Sequence, residues 1–219
     1  MLSSWAQNPT AVRVAPFALY LALTFLQGKL GEASLYWGYA LKTVLAGALV
    51  LAWRKHVPEM RWAFSLPAAF IGLLVLVIWV GLDPYYPAIG RSGPGWNPHR
   101  FFGQDSPWAW FFIVLRILGS GLIVPMLEEV FYRSFMTRYW SSADFTSVPL
   151  SQRDYRGAAI TAVAFGFAHS EWLAGILCGV CYQWLVWRRG QLGEAMTAHA
   201  ITNILLGIWI AWQGAWIFW

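Results

Sequence analysis

The stretch MLEEVFYRSF, Met126 to Phe135, sets two glutamates and an arginine inside an otherwise apolar run. Glu129 and Arg133 are four residues apart, so on a helix they share a face and can pair. Glu128 points about 100° away and is left without that partner, which makes it a candidate general base. Two further stretches carry polar groups in apolar surroundings: FGFAHSEW with His169, and HAITN with His199 and Asn203 on one helix face. Glu128 and His169 can hold a water molecule and remove its proton. His199 and Asn203 offer donors to a developing oxyanion. Together they suffice for adding water to an amide carbonyl with no covalent intermediate. Ser134 and Ser170 lack the G-x-S-x-G context of a serine nucleophile. Zinc held by Glu128, His169 and His199 is the alternative chemistry, although no HExxH helix is present. Each group also has a plain structural reading, as a helix-end ion pair, a packing histidine or polar glue between helices.

The elements that must position these groups are apolar. The 219 residues are 58% hydrophobic and 11% charged, against about 25% charged in a soluble domain. Sixteen tryptophans and nine tyrosines fit a chain with two membrane–water interfaces. The expected fold is all-α: a polytopic transmembrane helix bundle of about seven to eight spans around an intramembrane polar cavity, with residues 1–219 as one integral membrane domain. The apolar runs place spans at about 14–27, 35–53, 63–82, 108–140, 157–171, 172–187 and 193–212. A Pro- and Gly-rich loop fills 83–107. The first run lacks a small-x-small cleavage site and reads as a retained span. Cys178 and Cys181, in CGVC, read as small residues of an apolar helix rather than a redox or metal pair.

Lys and Arg set the orientation. Arg13, Arg54, Lys55, Arg61, Arg138, Arg153, Arg156, Arg188 and Arg189 collect on one side, against Lys29, Arg91 and Arg100 on the other. The N-terminus is therefore expected in the cytoplasm, the GRSGPGWNP loop outside, and the C-terminus outside if the span count is odd. At about 1.5 Å per residue, Glu128, His169, His199 and Asn203 reach similar depths and can line one cavity. Lys42 and Arg116 lie within spans and read as snorkelling or inter-span contacts. Glu171 is placed to tune His169, Glu194 suits a helix start, and His56 and His99 are read as solvated in loops. The net charge of +5 comes without a basic, aromatic-interleaved patch, so nucleic acid is excluded as a partner.

At these residues the sequence resembles the CAAX-protease and bacteriocin-processing (Abi) family of membrane proteins. The motifs EExxxR, FxxxH and HxxxN stand in order as Glu128-Glu129-Val-Phe-Tyr-Arg133, Phe165-Gly-Phe-Ala-His169 and His199-Ala-Ile-Thr-Asn203. The likeness covers about 108–206, the motif-bearing core. Size and tryptophan content are also similar to those of bacterial, exosortase-associated members. The resemblance implies a glutamate-dependent intramembrane endopeptidase, metal-independent, of a bacterial inner membrane. Glu128 would activate water with His169, His199 and Asn203 would form the oxyanion hole, and Glu129 with Arg133 would orient the site. The substrate would be a peptide or membrane-protein segment, the surroundings the lipid bilayer, and no cofactor is required.

Two other classes compete. A non-catalytic membrane partner, such as a scaffold, immunity or protein-sorting subunit, would use the same fold, but has no need of an unpaired membrane glutamate. A proton-coupled carrier would be expected to show inverted repeats, and the sequence has none.

Overall fold

A computed structural model describes residues 5–91 and 95–219. About 75% of the chain is helical, and no strand occurs among the described residues. The helices are α1 (Pro9–Leu26), α2 (Ser34–Ala52), α3 (Leu66–Leu82), the short α4 (Pro98–Phe102), α5 (Pro107–Ser141), α6 (Tyr155–Phe167), α7 (Trp172–Arg189) and α8 (Gly193–Gln213).

Local sequence dictates where these helices begin and end. Asn8, Ser65, Asn97 and Ser106 each place a side-chain oxygen on the first free N–H groups of α1, α3, α4 and α5, with proline at the first helical position of α1, α4 and α5 and at the second of α3. Proline at the first helical position gives up an N–H that would have had no helical partner. Asp154 caps α6 through the Gly157 N–H at 2.9 Å and accepts from the Ser141 hydroxyl at 2.5 Å. The Gly157 amide and then Ser141 hold its carboxyl below the usual range. At the other ends, α7 and α8 stop on Gly190 and Gly214 at φ 65°, a left-handed conformation that costs glycine little.

Helix α5 departs from regular geometry twice, at Gly119–Ile123 and Val130–Met136, both π-helical. The first stretch leads into Pro125, which lacks an N–H and whose ring would crowd the preceding turn. Widening that turn relieves both problems. The second follows the glutamate pair directly and contains Arg133. There the Thr137 hydroxyl donates to the Tyr132 carbonyl at 3.0 Å.

Packing against α8 is close and antiparallel. Ser120 lies against Asn203, Gly121 against Ile204, and Ile117 against Gly207, while His199 meets the glutamates further along. Gly166 and Gly175 likewise let α6 and α7 touch backbone to backbone. Small residues at such crossings are the usual device where helices pack without water to drive them together.

Outward faces are apolar. Leu66 is 80% exposed, Phe64 74% and Val77 67%. In water such a surface would aggregate, whereas lipid solvates it. Five helices are long and apolar enough to cross a membrane: α1, α2, α3 extended to Tyr85, α5 and α8. The protein is thus an integral membrane helical bundle. The expected count of seven to eight differs at α6 and α7. Helix α6 has 13 residues, about 20 Å, short of the roughly 30 Å hydrocarbon core. Helix α7 ends on Arg188 and Arg189, which pair with Glu194 at the start of α8.

Two other expectations change in detail, and the reading of the two cysteines as residues of an apolar helix agrees with their place on α7. The 83–107 loop contains α4, and its residues 92–94 lie outside the described residues. His99 sits edge-on to the Trp110 and Trp216 rings, at 5.2 and 5.6 Å, rather than in solvent. Cys178 and Cys181 are both free thiols on α7, one buried and one half-buried.

Candidate active site

Helix α5 brings Glu128 and Glu129 to the centre of the bundle, and α8 brings His199 to meet both. Glu129 is fully buried and Arg133 is 1% exposed. Arg133 Nε lies 3.2 Å from Glu129 Oε2, so the expected pair forms. The other carboxylate oxygen, Oε1, lies 2.9 Å from His199 Nδ1. A carboxylate can only accept there, so Nδ1 carries the hydrogen and Nε2 is the nitrogen free to exchange a proton. That nitrogen faces Glu128 Oε2 at 3.8 Å. Glu128 is 9% exposed, and its buried Oε2 has no hydrogen-bond partner among the described residues.

Aromatic rings hold these groups in place. Tyr182 stacks on His199 with ring centres 5.0 Å apart and donates its hydroxyl to Thr202 at 3.0 Å. Thr202 in turn donates to the Gly72 carbonyl at 2.8 Å, so α7, α8 and α3 are tied behind the imidazole. Phe165 lies under the Arg133 guanidinium at 4.5 Å. Its ring centre is also 4.7 Å from that of His169 and 6.2 Å from that of His199. Phe165 is thus the element through which α6 meets the charged cluster. Arg133 also donates to the Gly179 carbonyl on α7, at 3.4 Å.

His169 lies just beyond α6, in the turn to α7, and not within the helix as the apolar run suggests. Its Nδ1 is 2.8 Å from the Phe165 carbonyl, an acceptor only, which leaves Nε2 as the open position. Trp79 packs edge-on against the ring, at 5.4 Å and 88°. The turn is strapped by the segment after α3. Ile89 N–H donates to the Ser170 carbonyl at 2.9 Å, and Arg91 bonds Glu171 and Asp83 at 2.5 Å each. Burial alone would lower Arg91, but the two carboxylates outweigh it and hold the guanidinium above its usual range. Glu171 therefore serves Arg91 directly.

Asn203 donates its amide to the Ser120 carbonyl at 2.8 Å, one turn of α8 beyond His199. Ser120 belongs to the first π-helical stretch, so the distortion of α5 presents a main-chain acceptor to the motif asparagine. Glu128, Glu129, Arg133 and His199 form one contiguous cluster. His169 and Asn203 flank it through Phe165 and Ser120, without a direct bond to Glu128. Among the described residues, no three or more His, Cys, Asp or Glu side chains gather closely enough to hold a metal ion.

A second buried cluster has no counterpart in the sequence reading. Glu59, in the α2–α3 connection, accepts from Arg13 at 2.7 Å, from Arg138 at 3.1 Å and from the Ser134 hydroxyl. Burial pushes the Glu59 carboxyl up, but Arg13 and Ser134 outweigh it and hold it below its usual range. The cluster fixes α1 and the α2–α3 connection to α5 one turn beyond Arg133. From sequence, Glu59 is one carboxylate in a polar loop, and nothing in VPEMR announces its three partners.

No curated protein and no solved structure matches the chain. A family match covers residues 108–205, from the second residue of α5 through His199 and Asn203 on α8. The match names the family and not an exosortase-associated subgroup. All three motifs fall inside it, and the motif-bearing segment matches the family described as type II CAAX prenyl endopeptidase Rce1-like.

Proposed function

We propose that the protein is an intramembrane endopeptidase that cleaves a peptide bond with water activated by Glu128. The family of the 108–205 segment supports a membrane protease acting on a peptide or membrane-protein segment. One observation carries the mechanism: a buried carboxylate oxygen of Glu128, without a hydrogen bond to any described residue, faces the exchangeable nitrogen of His199 at 3.8 Å. An unsatisfied buried carboxylate is costly, and a site that must bind and deprotonate water accounts for it.

In this scheme Glu128 takes a proton from water as its oxygen attacks the scissile carbonyl. His169 shares the water through Nε2. Negative charge then builds on the former carbonyl oxygen and is met by the Asn203 amide and by His199, which donates through Nε2 with both ring nitrogens protonated. Glu128 returns its proton to the departing amine, the C–N bond breaks, and the products are a carboxylic acid and an amine. Glu129 and Arg133 hold His199 and the backbone of α5 in register. All these groups belong to the protein, and zinc on Glu128, His169 and His199 is the competing scheme.

The test is cleavage of membrane-anchored peptides by purified wild-type and Glu128→Gln protein, each with and without EDTA. The expected result is EDTA-resistant cleavage, reduced at least about 100-fold by the substitution. Undiminished activity in Glu128→Gln would refute the assignment. Loss in EDTA with recovery on adding zinc would transfer His169 and His199 to metal ligation.

A further inference from the structure

Among the described residues, the buried and half-buried cations have carboxylate partners, with two exceptions, buried Lys42 and half-buried Arg116. Arg13 and Arg138 share Glu59, and Arg133 has Glu129. Lys42 on α2 and Arg116 on α5 have none among the described residues. Both line one cavity of about 540 Å³, at the end of the bundle where α1 turns into α2. That volume lies within the roughly 300–1,000 Å³ of small-molecule sites.

The base of the cavity is built for a negative ligand. Lys42 is 5% exposed and spends one of its three donors on the Thr24 hydroxyl, at 3.0 Å. Its ammonium lies over the rings of Tyr20 at 4.6 Å and Tyr39 at 5.1 Å. The Arg116 guanidinium is boxed by Trp96 at 4.6 Å, Tyr39 at 5.1 Å and Trp219 at 5.2 Å. It donates no hydrogen bond to another described residue. Aromatic faces stabilise the two cations, but they supply no acceptor, and both charges flank the same Tyr39 ring. Placing two like charges in one low-dielectric pocket costs free energy that an anion between them would offset. At the mouth stand Arg100 and Glu32, both exposed. Among the side chains that line it, three are cations and one is a carboxylate.

We propose that this cavity binds a phosphate group, carried by an anionic lipid headgroup or by a free phosphate. A phosphate offers several acceptor oxygens, enough to engage the donors of both Lys42 and Arg116. A lipid can reach it. Leu26 and Leu30, at the adjoining end of α1, are 56% and 70% exposed, and the tryptophan-rich wall suits the headgroup level. Zwitterionic phosphatidylcholine brings its own cation toward Lys42 and Arg116 and is disfavoured. This site lies apart from Glu128 and does not rest on the protease reading.

The experiment uses the purified full chain in detergent. Phosphatidylglycerol, phosphatidylcholine and inorganic phosphate are titrated separately. Native mass spectrometry counts bound molecules, and thermal shift reports affinity. The expected result is one phosphatidylglycerol retained per chain in preference to phosphatidylcholine, with about tenfold weaker binding in Arg116→Gln and in Lys42→Met. Saturable binding of inorganic phosphate with the same dependence would support the proposal with free phosphate as the source. Should the buried variants fail to fold, the exposed pair decides: Arg100→Gln weakens binding and Glu32→Gln strengthens it. Failure of wild type to retain either phosphate source would overturn the proposal, as would binding unchanged across the folded variants.

Discussion

At the scale of single residues, the site depends on two adjacent glutamates with opposite situations. Glu129 has Arg133 at ion-pair distance from one oxygen and a hydrogen bond to His199 on the other. Glu128 is buried with an oxygen left open. The substitutions Glu128→Gln and Glu129→Gln should therefore differ in kind. Glu128→Gln should abolish cleavage and leave the melting temperature near wild type, because the only charged contact it loses is the long one to His199, at 3.8 Å. Glu129→Gln strands Arg133, which is 1% exposed, and should destabilise the protein by about 3–5 kcal/mol. Replacing both members of the pair, as Glu129→Gln with Arg133→Met, should cost less than the two single changes added together. Denaturation in detergent reads both effects. Equal melting temperatures for the two Gln variants would contradict this division. These residues were legible in the sequence because charge inside an apolar run is expensive and needs a reason. His199 bridging both carboxylates was not legible, since helix spacing says which residues share a face and not what faces them from another helix. Tyr182 was hidden for the same reason. An aromatic ring in an apolar helix reads as core until its partner is known.

At the scale of elements, α5 does most of the positioning. Its first π-helical stretch presents the Ser120 carbonyl to Asn203, and its second carries Arg133. The apolar run at 108–140 reads as one regular helix, and nothing in it announces the turn that widens ahead of Pro125. The close α5–α8 approach depends on Gly121, where a side-chain carbon would collide with Ile204. Gly121→Val should destabilise by about 1–3 kcal/mol and reduce cleavage as well, because α8 carries His199 and Asn203. A stable but inactive variant would place the effect in the site alone, and an unaffected one would contradict the packing argument. Beyond Arg133, the Glu59 cluster anchors α1 to α5. Its carboxyl sits below the ordinary range in the folded protein. The stability it contributes is thus present above the unfolded carboxylate value, about 4.3, and is lost as pH falls through the lower folded value. Glu59→Gln should remove this acid-dependent component, so that its stability between about pH 6 and about pH 3 varies less steeply than that of wild type. A loop carboxylate is ordinarily solvated, which is why three buried partners could not be foreseen for this one.

At the scale of the whole molecule, hydrophobic composition made the helical membrane class evident, while the count of spans depended on lengths that apolar runs blur. Helices α6 and α7 carry or flank motif residues yet are not long and apolar enough to count as spans. Their role is to bring Phe165, His169 and Tyr182 against α5 and α8. We expect the N-terminus in the cytoplasm from the excess of Lys and Arg at that end. Single cysteines at position 55 and position 100, in a background lacking Cys178 and Cys181, should then label from opposite sides of the membrane. Position 55 labelling from outside and position 100 from inside would reverse that topology, and labelling of both from one side would break it. The most direct test of the central claim follows the oxygen atom. Cleavage of a membrane-anchored peptide is run in ¹⁸O-water for a single turnover, and product and enzyme are analysed by mass spectrometry. Direct attack by water activated at Glu128 predicts label in the new carboxyl group of the product and none in the Glu128 carboxylate. Label in Glu128 would show a covalent intermediate on that residue and contradict the account.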